Sequence, residues 1–132
     1  MKIESEKVIV NASSKEVFDF LSETKNIEEL LPLDNIKEFK SSEKECSFKV
    51  QGGITITLIQ DELVPTNAIK MKSGEKSPFP FNLTIHMEGH AENQTLGFIN
   101  FEGEVNPFLK MMVQKPLSNL FNYMSNKMKE KF

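Results

Sequence analysis

The stretch from Asn106 to Phe132 constrains the chain most, because it reads as one long helix with a wide apolar side. Asn106-Pro107 is a start signal: Asn can cap, and Pro at the first helical position loses no needed donor. Leu109, Met112, Val113, Leu117, Leu120, Phe121, Met124 and Met128 then recur at the i, i+3, i+4, i+7 spacing of a helix with one buried side. Lys115, Ser118, Asn122, Ser125, Asn126 and Lys129 fill most of the other half, with Met111 as the exception. Pro116 falls mid-run and predicts a kink, since it lacks an N–H and its ring crowds the carbonyl four residues back. About 25 residues at 1.5 Å each make a rod of roughly 37 Å. Such a rod needs a broad apolar surface, and the preceding sequence offers sheet.

Val8 and Val10 place a strand over residues 2–10. Ser13 and Glu16 form a capping box ahead of Val17, Phe18 and Leu21. Asn26 and Glu29 repeat the pattern for a second helix that Pro32 limits to about two turns. Six strands are then expected. Phe48 and Val50 alternate with Ser47 and Lys49, Gly52-Gly53 marks a hairpin turn, and Ile54, Ile56 and Leu58 follow. Ile69 and Met71 mark the next strand, and residues 73–80 a loop. Phe81, Leu83, Ile85 and Met87 alternate cleanly with polar residues, and residues 89–94 read as another loop. Thr95 to Val105 is the last strand, with Gly97 and Gly103 signalling bends or close packing. Short connections imply an antiparallel meander. The whole is a single α+β domain over residues 1–132, ordered strand, two short helices, six strands, long helix.

Size and composition (132 residues, 39% apolar, 27% charged) fit one globular core. A net charge of −3 favours no bulk attraction to nucleic acid. All sixteen cationic side chains are lysine, so bidentate arginine clamps on phosphate or guanine are unavailable. The single cysteine, Cys46, excludes an internal disulfide and suits a reducing compartment. With no signal-peptide pattern and no spanning apolar run, a cytoplasmic location is expected. The matches to N-x-[ST] at Asn11, Asn82 and Asn93 read as chance.

The order of elements and three local motifs resemble the START/Bet-v-like helix-grip superfamily, also called SRPBCC. The motifs are V-x-V-x-A-S-S-K-E-V-F-D-F-L from Val8 to Leu21, Pro32 after the second helix, and N-P-F-L-K-M-M-V-Q-K-P-L from Asn106. The likeness spans the chain. It is greatest for small bacterial members grouped with polyketide cyclase/dehydratase-like proteins and with the G-type proteins of carbon monoxide dehydrogenase. The resemblance implies a curved antiparallel sheet gripping the C-terminal helix, with a cavity between them for lipids, sterols, quinones or polyketides. The physics agrees, because a bowed sheet and a straight rod cannot touch along their full lengths.

The expected ligand-binding residues are Phe48, Ile56, Met71, Phe81, Leu83 and Ile85 from the sheet, and Leu109, Met112, Val113, Leu120 and Met124 from the helix. Each could equally fill a dry core. Seven methionines, four in the last helix, favour an adaptable surface. No catalytic residue, metal or cofactor is expected. His86, Glu88 and His90 share a strand face, but the one opposite Leu83 and Ile85, hence toward solvent. Cys46 points inward with Phe48 and reads as inert. Glu102 and Glu104 are out of phase with Ile99 and Phe101 and read as solvated. Cyclase-type relatives bring Arg, Trp and Tyr into the cavity, whereas this chain has only Tyr123. The expected function is therefore a non-catalytic carrier or sensor of a small hydrophobic ligand. A cyclase/dehydratase-type enzyme and an adaptor for a protein or membrane complex are the alternatives. Met111 and the Pro78-Phe79-Pro80 loop are the apolar features expected at the surface.

Overall fold

A computed structural model describes residues 1–50 and 53–132. Strands β1 (Lys2–Glu4) and β2 (Val8–Val10) lead to helix α1 (Ser14–Leu21) and a 3₁₀ helix (Thr24–Leu30). Six strands follow: β3 (Lys37–Ser41), β4 (Glu45–Val50), β5 (Ile54–Val64), β6 (Ala68–Ser73), β7 (Phe81–Ala91) and β8 (Gln94–Gly103). Helix α2 (Pro107–Lys131) ends the chain. The sheet runs β1-β8-β7-β6-β5-β4-β3, antiparallel throughout, and β2 also pairs with β8. This is the expected helix-grip α+β architecture.

The local signals account for most of it. The Ser13–Glu16 capping box forms in full. Asn106 caps α2, its Oδ1 accepting the Leu109 N–H at 2.8 Å. Helix α2 continues through Pro116. Along β7 and β8 the inward residues Leu83, Ile85, Met87, Ile99 and Phe101 are buried, and they join α1, the 3₁₀ helix and α2 in one hydrophobic cluster.

Four local expectations are revised. The first strand is two strands, because Ser5 interrupts it. Its N–H donates to the Ile99 carbonyl, and its hydroxyl accepts the Ile99 N–H, both at 2.8 Å. The displaced Glu6 N–H then donates to Asn122 of α2 at 2.8 Å, and Asn126 donates to the Glu6 carboxylate at 2.6 Å. The second helix is 3₁₀ and lacks a side-chain cap. Asn26 instead donates to the Phe20 carbonyl at 2.8 Å, satisfying a carbonyl that α1 leaves free at its end. The loop expected at residues 89–94 is mostly strand, closed by Glu92-Asn93 with Asn93 at φ +56°. In the β4–β5 turn Gly53 adopts φ +85°, while Gly52 lies outside the described residues. Finally, Phe79 is buried, not exposed, against Phe81 and Phe101 at ring distances of 5.9 and 6.2 Å.

Candidate functional site

Helix α2 lies to one side of its cradle. It packs on β1, β2, β8 and the 3₁₀ helix. Two causes are visible. Asn122 and Asn126 are tied to Glu6 at the β1–β2 break. Gly97 on β8 admits the helix closely, since a Cβ there would stand 2.9 Å from Met128 Sδ. The inner faces of β4 and β5 are covered instead by their own side chains, with Phe39 stacked on Phe48 at 6.4 Å.

On that open flank, α2 and the strand edge part to leave a cleft of about 470 Å³. Pro32, Asn35 and Ile36 form one wall and Val50, at the end of β4, part of the floor. Lys115, Pro116, Asn119, Leu120 and Tyr123 of α2 form the other wall. Leu120 and Val50 belong to the buried cluster, so the floor is continuous with the core. Asn35, Asn119, Lys115 and Tyr123 supply polar atoms. Apolar walls with a few polar groups match small amphipathic molecules. Two depressions adjoin it, sharing Asn35. One, about 630 Å³, carries Glu28, Glu29, Glu130 and Lys127, with Lys131 and Glu29 paired at 3.0 Å. The other, about 520 Å³, carries Asp34, Lys37, Glu38 and Lys49. Their charged linings suit water better than an apolar guest.

The expected ligand-binding residues fall in three places. Phe48, Ile56, Met71, Phe81, Leu83, Ile85, Val113, Leu120 and Met124 are buried in the one cluster between sheet and helix. Of these Leu120 reaches the cleft, and Phe81 borders a separate depression beside Met1 and Gly103. Leu109 is half-buried against the cluster. Met112, expected to face the sheet, is 59% exposed. It precedes Val113 by one position and so points about 100° round the helix from that buried side chain. Ser125, expected on the polar side, is fully buried, its hydroxyl donating to the Asn122 carbonyl at 3.1 Å. Pro32, Asn35, Ile36, Val50, Lys115, Pro116, Asn119 and Tyr123 were not among the expected ligand-binding residues. Their signal was faint: Tyr123 at the edge of the helix stripe, and the prolines as interruptions.

The groups considered for chemistry sit elsewhere. Cys46 is buried, and burial together with the neighbouring Glu45 charge pushes its thiol up to about 12. His86 is half-buried on the outer sheet face and stacks on Phe98 at 4.5 Å. Burial holds its pKa below the ordinary 6.5, against the opposing pull of Glu88 and Glu4. Asn100 Nδ2 lies 3.1 Å from His86 Nε2, where the amide can only donate and the ring nitrogen must be unprotonated. Glu88 and His90 are exposed. Glu102 is exposed and pairs with Lys2 at 3.6 Å, and Glu104 is exposed. Among the described residues no three His, Cys, Asp or Glu side chains are grouped to hold a metal, and no helix is long and apolar enough to cross a membrane.

No protein-family model matches the sequence, and no curated protein matches it. Solved structures do match. XoxI from Bacillus cereus is 12% identical with a TM-score of 0.77, covering 99% of this chain and 94% of its own. A START superfamily protein from Mycobacterium smegmatis is 12% identical with a TM-score of 0.69, covering 99% of both chains. Norcoclaurine synthase from Thalictrum flavum is 14% identical with a TM-score of 0.72, covering 99% of this chain and 85% of its own, and has also been solved with dopamine and hydroxybenzaldehyde. Likeness at such low identity speaks to architecture alone, and in architecture this chain has the START/Bet-v-like helix-grip fold.

Proposed function

We propose that the protein binds a small apolar or amphipathic molecule in the cleft between residues 32–36, Val50 and the middle of α2, as a non-catalytic carrier or sensor. The observation that carries this reading is the cleft itself. It opens where the gripped helix leaves the sheet, its floor is core, and its polar atoms stand apart from that floor. An apolar body would lie on Val50, Ile36, Leu120 and Pro116. A polar end would meet Asn35, Asn119, Lys115 or the Tyr123 hydroxyl. The small aromatic molecules held by norcoclaurine synthase are of a class that such a volume admits. Within the lining, Lys115 and Tyr123 alone can move a proton, and no carboxylate, histidine or thiol joins them. That sparse set supports carriage over catalysis.

Tyr123 is the only tyrosine and the chain has no tryptophan, so tyrosine fluorescence reports this cleft and nothing else. Titration with a medium-chain fatty acid and with a hydroxylated aromatic should give a saturable change for at least one of them. Ile36→Asp, which sets a charge on the apolar wall, should abolish it. Native mass spectrometry of protein purified from its own host should show a co-purifying small molecule. A flat titration together with an empty spectrum would sink the proposal.

A further inference from the structure

Helix α2 carries a second apolar stripe, on a side that touches nothing. Phe108, Met111 and Met112 are 74%, 84% and 59% exposed. With Lys115 they hold positions i, i+3, i+4 and i+7, so all four project from one side of the first turns. Helices in a folded domain hide such a stripe or use it.

Charge selects what would cover it. Helix α2 has five lysines and one glutamate, a net of +4, while the whole chain is −3, leaving −7 on the remainder. Toward its C-terminus Lys127 pairs with Glu130 and Lys131 with Glu29. Among the described residues neither Lys110 nor Lys115, which flank the stripe, has a carboxylate within 4.0 Å. An anionic surface would therefore turn the molecule helix-first. Lysine stems can lie along an apolar layer while the ammonium stays at its polar boundary. Exposed aromatic and methionine side chains, bordered by unpaired lysines, suit the interface of an anionic bilayer.

We infer that the first two turns of α2 are a docking surface for an anionic lipid membrane, with Phe108 and Met111 entering the acyl boundary and Lys110 and Lys115 meeting the headgroups. This goes beyond the cleft reading and does not need it, since the stripe is present whatever fills the cleft.

Flotation of the full chain with vesicles tests it. With phosphatidylcholine and phosphatidylglycerol at about 7:3 the protein should float, and it should float poorly with phosphatidylcholine alone. Raising salt should release it. Phe108→Ser with Met111→Ser should weaken partition by about tenfold or more. Lys110→Glu should weaken it on the anionic vesicles alone. Unchanged thermal unfolding would show that the variants remain folded. No flotation with either lipid, or flotation indifferent to the double variant, overturns the proposal. So does a concentration-dependent dimer in sedimentation that the double variant abolishes, which would assign the stripe to a second copy. Tyrosine titration without vesicles keeps the two readings separable, because saturable binding there alongside absent flotation defeats only the membrane surface.

Discussion

Two side chains show how burial sets reactivity here. With its thiol pushed up to about 12 and its side chain enclosed, Cys46 should resist a disulfide reagent such as Ellman's at pH 8 in the native state. It should react at once in denaturant, and fast native labelling would contradict the structure. His86 behaves oppositely in sign. Its folded pKa lies below the ordinary 6.5, so between the two values the unfolded chain binds more protons. Stability should then be intact above about pH 6.5 and decline as pH falls through the window down to the folded value. Urea unfolding at pH 7.5 and 5.5 should show a smaller pH dependence in His86→Gln than in the natural chain. The face that His86 occupies was readable from strand alternation. Its partners were not, since Phe98 and Asn100 meet it only through the β7–β8 register.

At the scale of elements, the seating of α2 is the feature to test. Gly97→Val would press a side chain into Met128 and should destabilise by about 1–3 kcal/mol, the cost of overpacking a filled contact. Gly89→Ala is the control, because nothing lies within 4 Å of the added carbon. The cleft predicts a contrast between two leucines one turn apart. Leu117→Ala, in closed core, should cost about 2–5 kcal/mol. Leu120→Ala should cost appreciably less, because that side chain already borders space. Equal losses from chemical denaturation would mean that the cleft is filled at Leu120. The helix, its cap and its apolar rhythm were legible beforehand, whereas the exposure of Met112 was not. Periodicity marks a wide arc, but only a partner surface decides how much of that arc is covered.

For the whole molecule, one cluster joins the sheet with all three helical segments. Cooperative unfolding should follow, with far-UV circular dichroism and Tyr123 fluorescence tracing the same urea transition. An earlier fluorescence change would mean that α2 leaves the sheet before the sheet melts. The sequence by itself determined the element types, their order, the six-strand meander and the inward faces, because caps, turns and two periodicities are local properties. Tertiary structure decided that α2 leans toward β1, β2 and β8, and so where the cleft opens and which helix residues stay bare. That choice depends on contacts between residues far apart in the chain: Ser5 with Ile99, Glu6 with Asn122 and Asn126, Gly97 with Met128. Local spacing carries no record of such pairings, which exist only once the sheet has brought its edges to the helix.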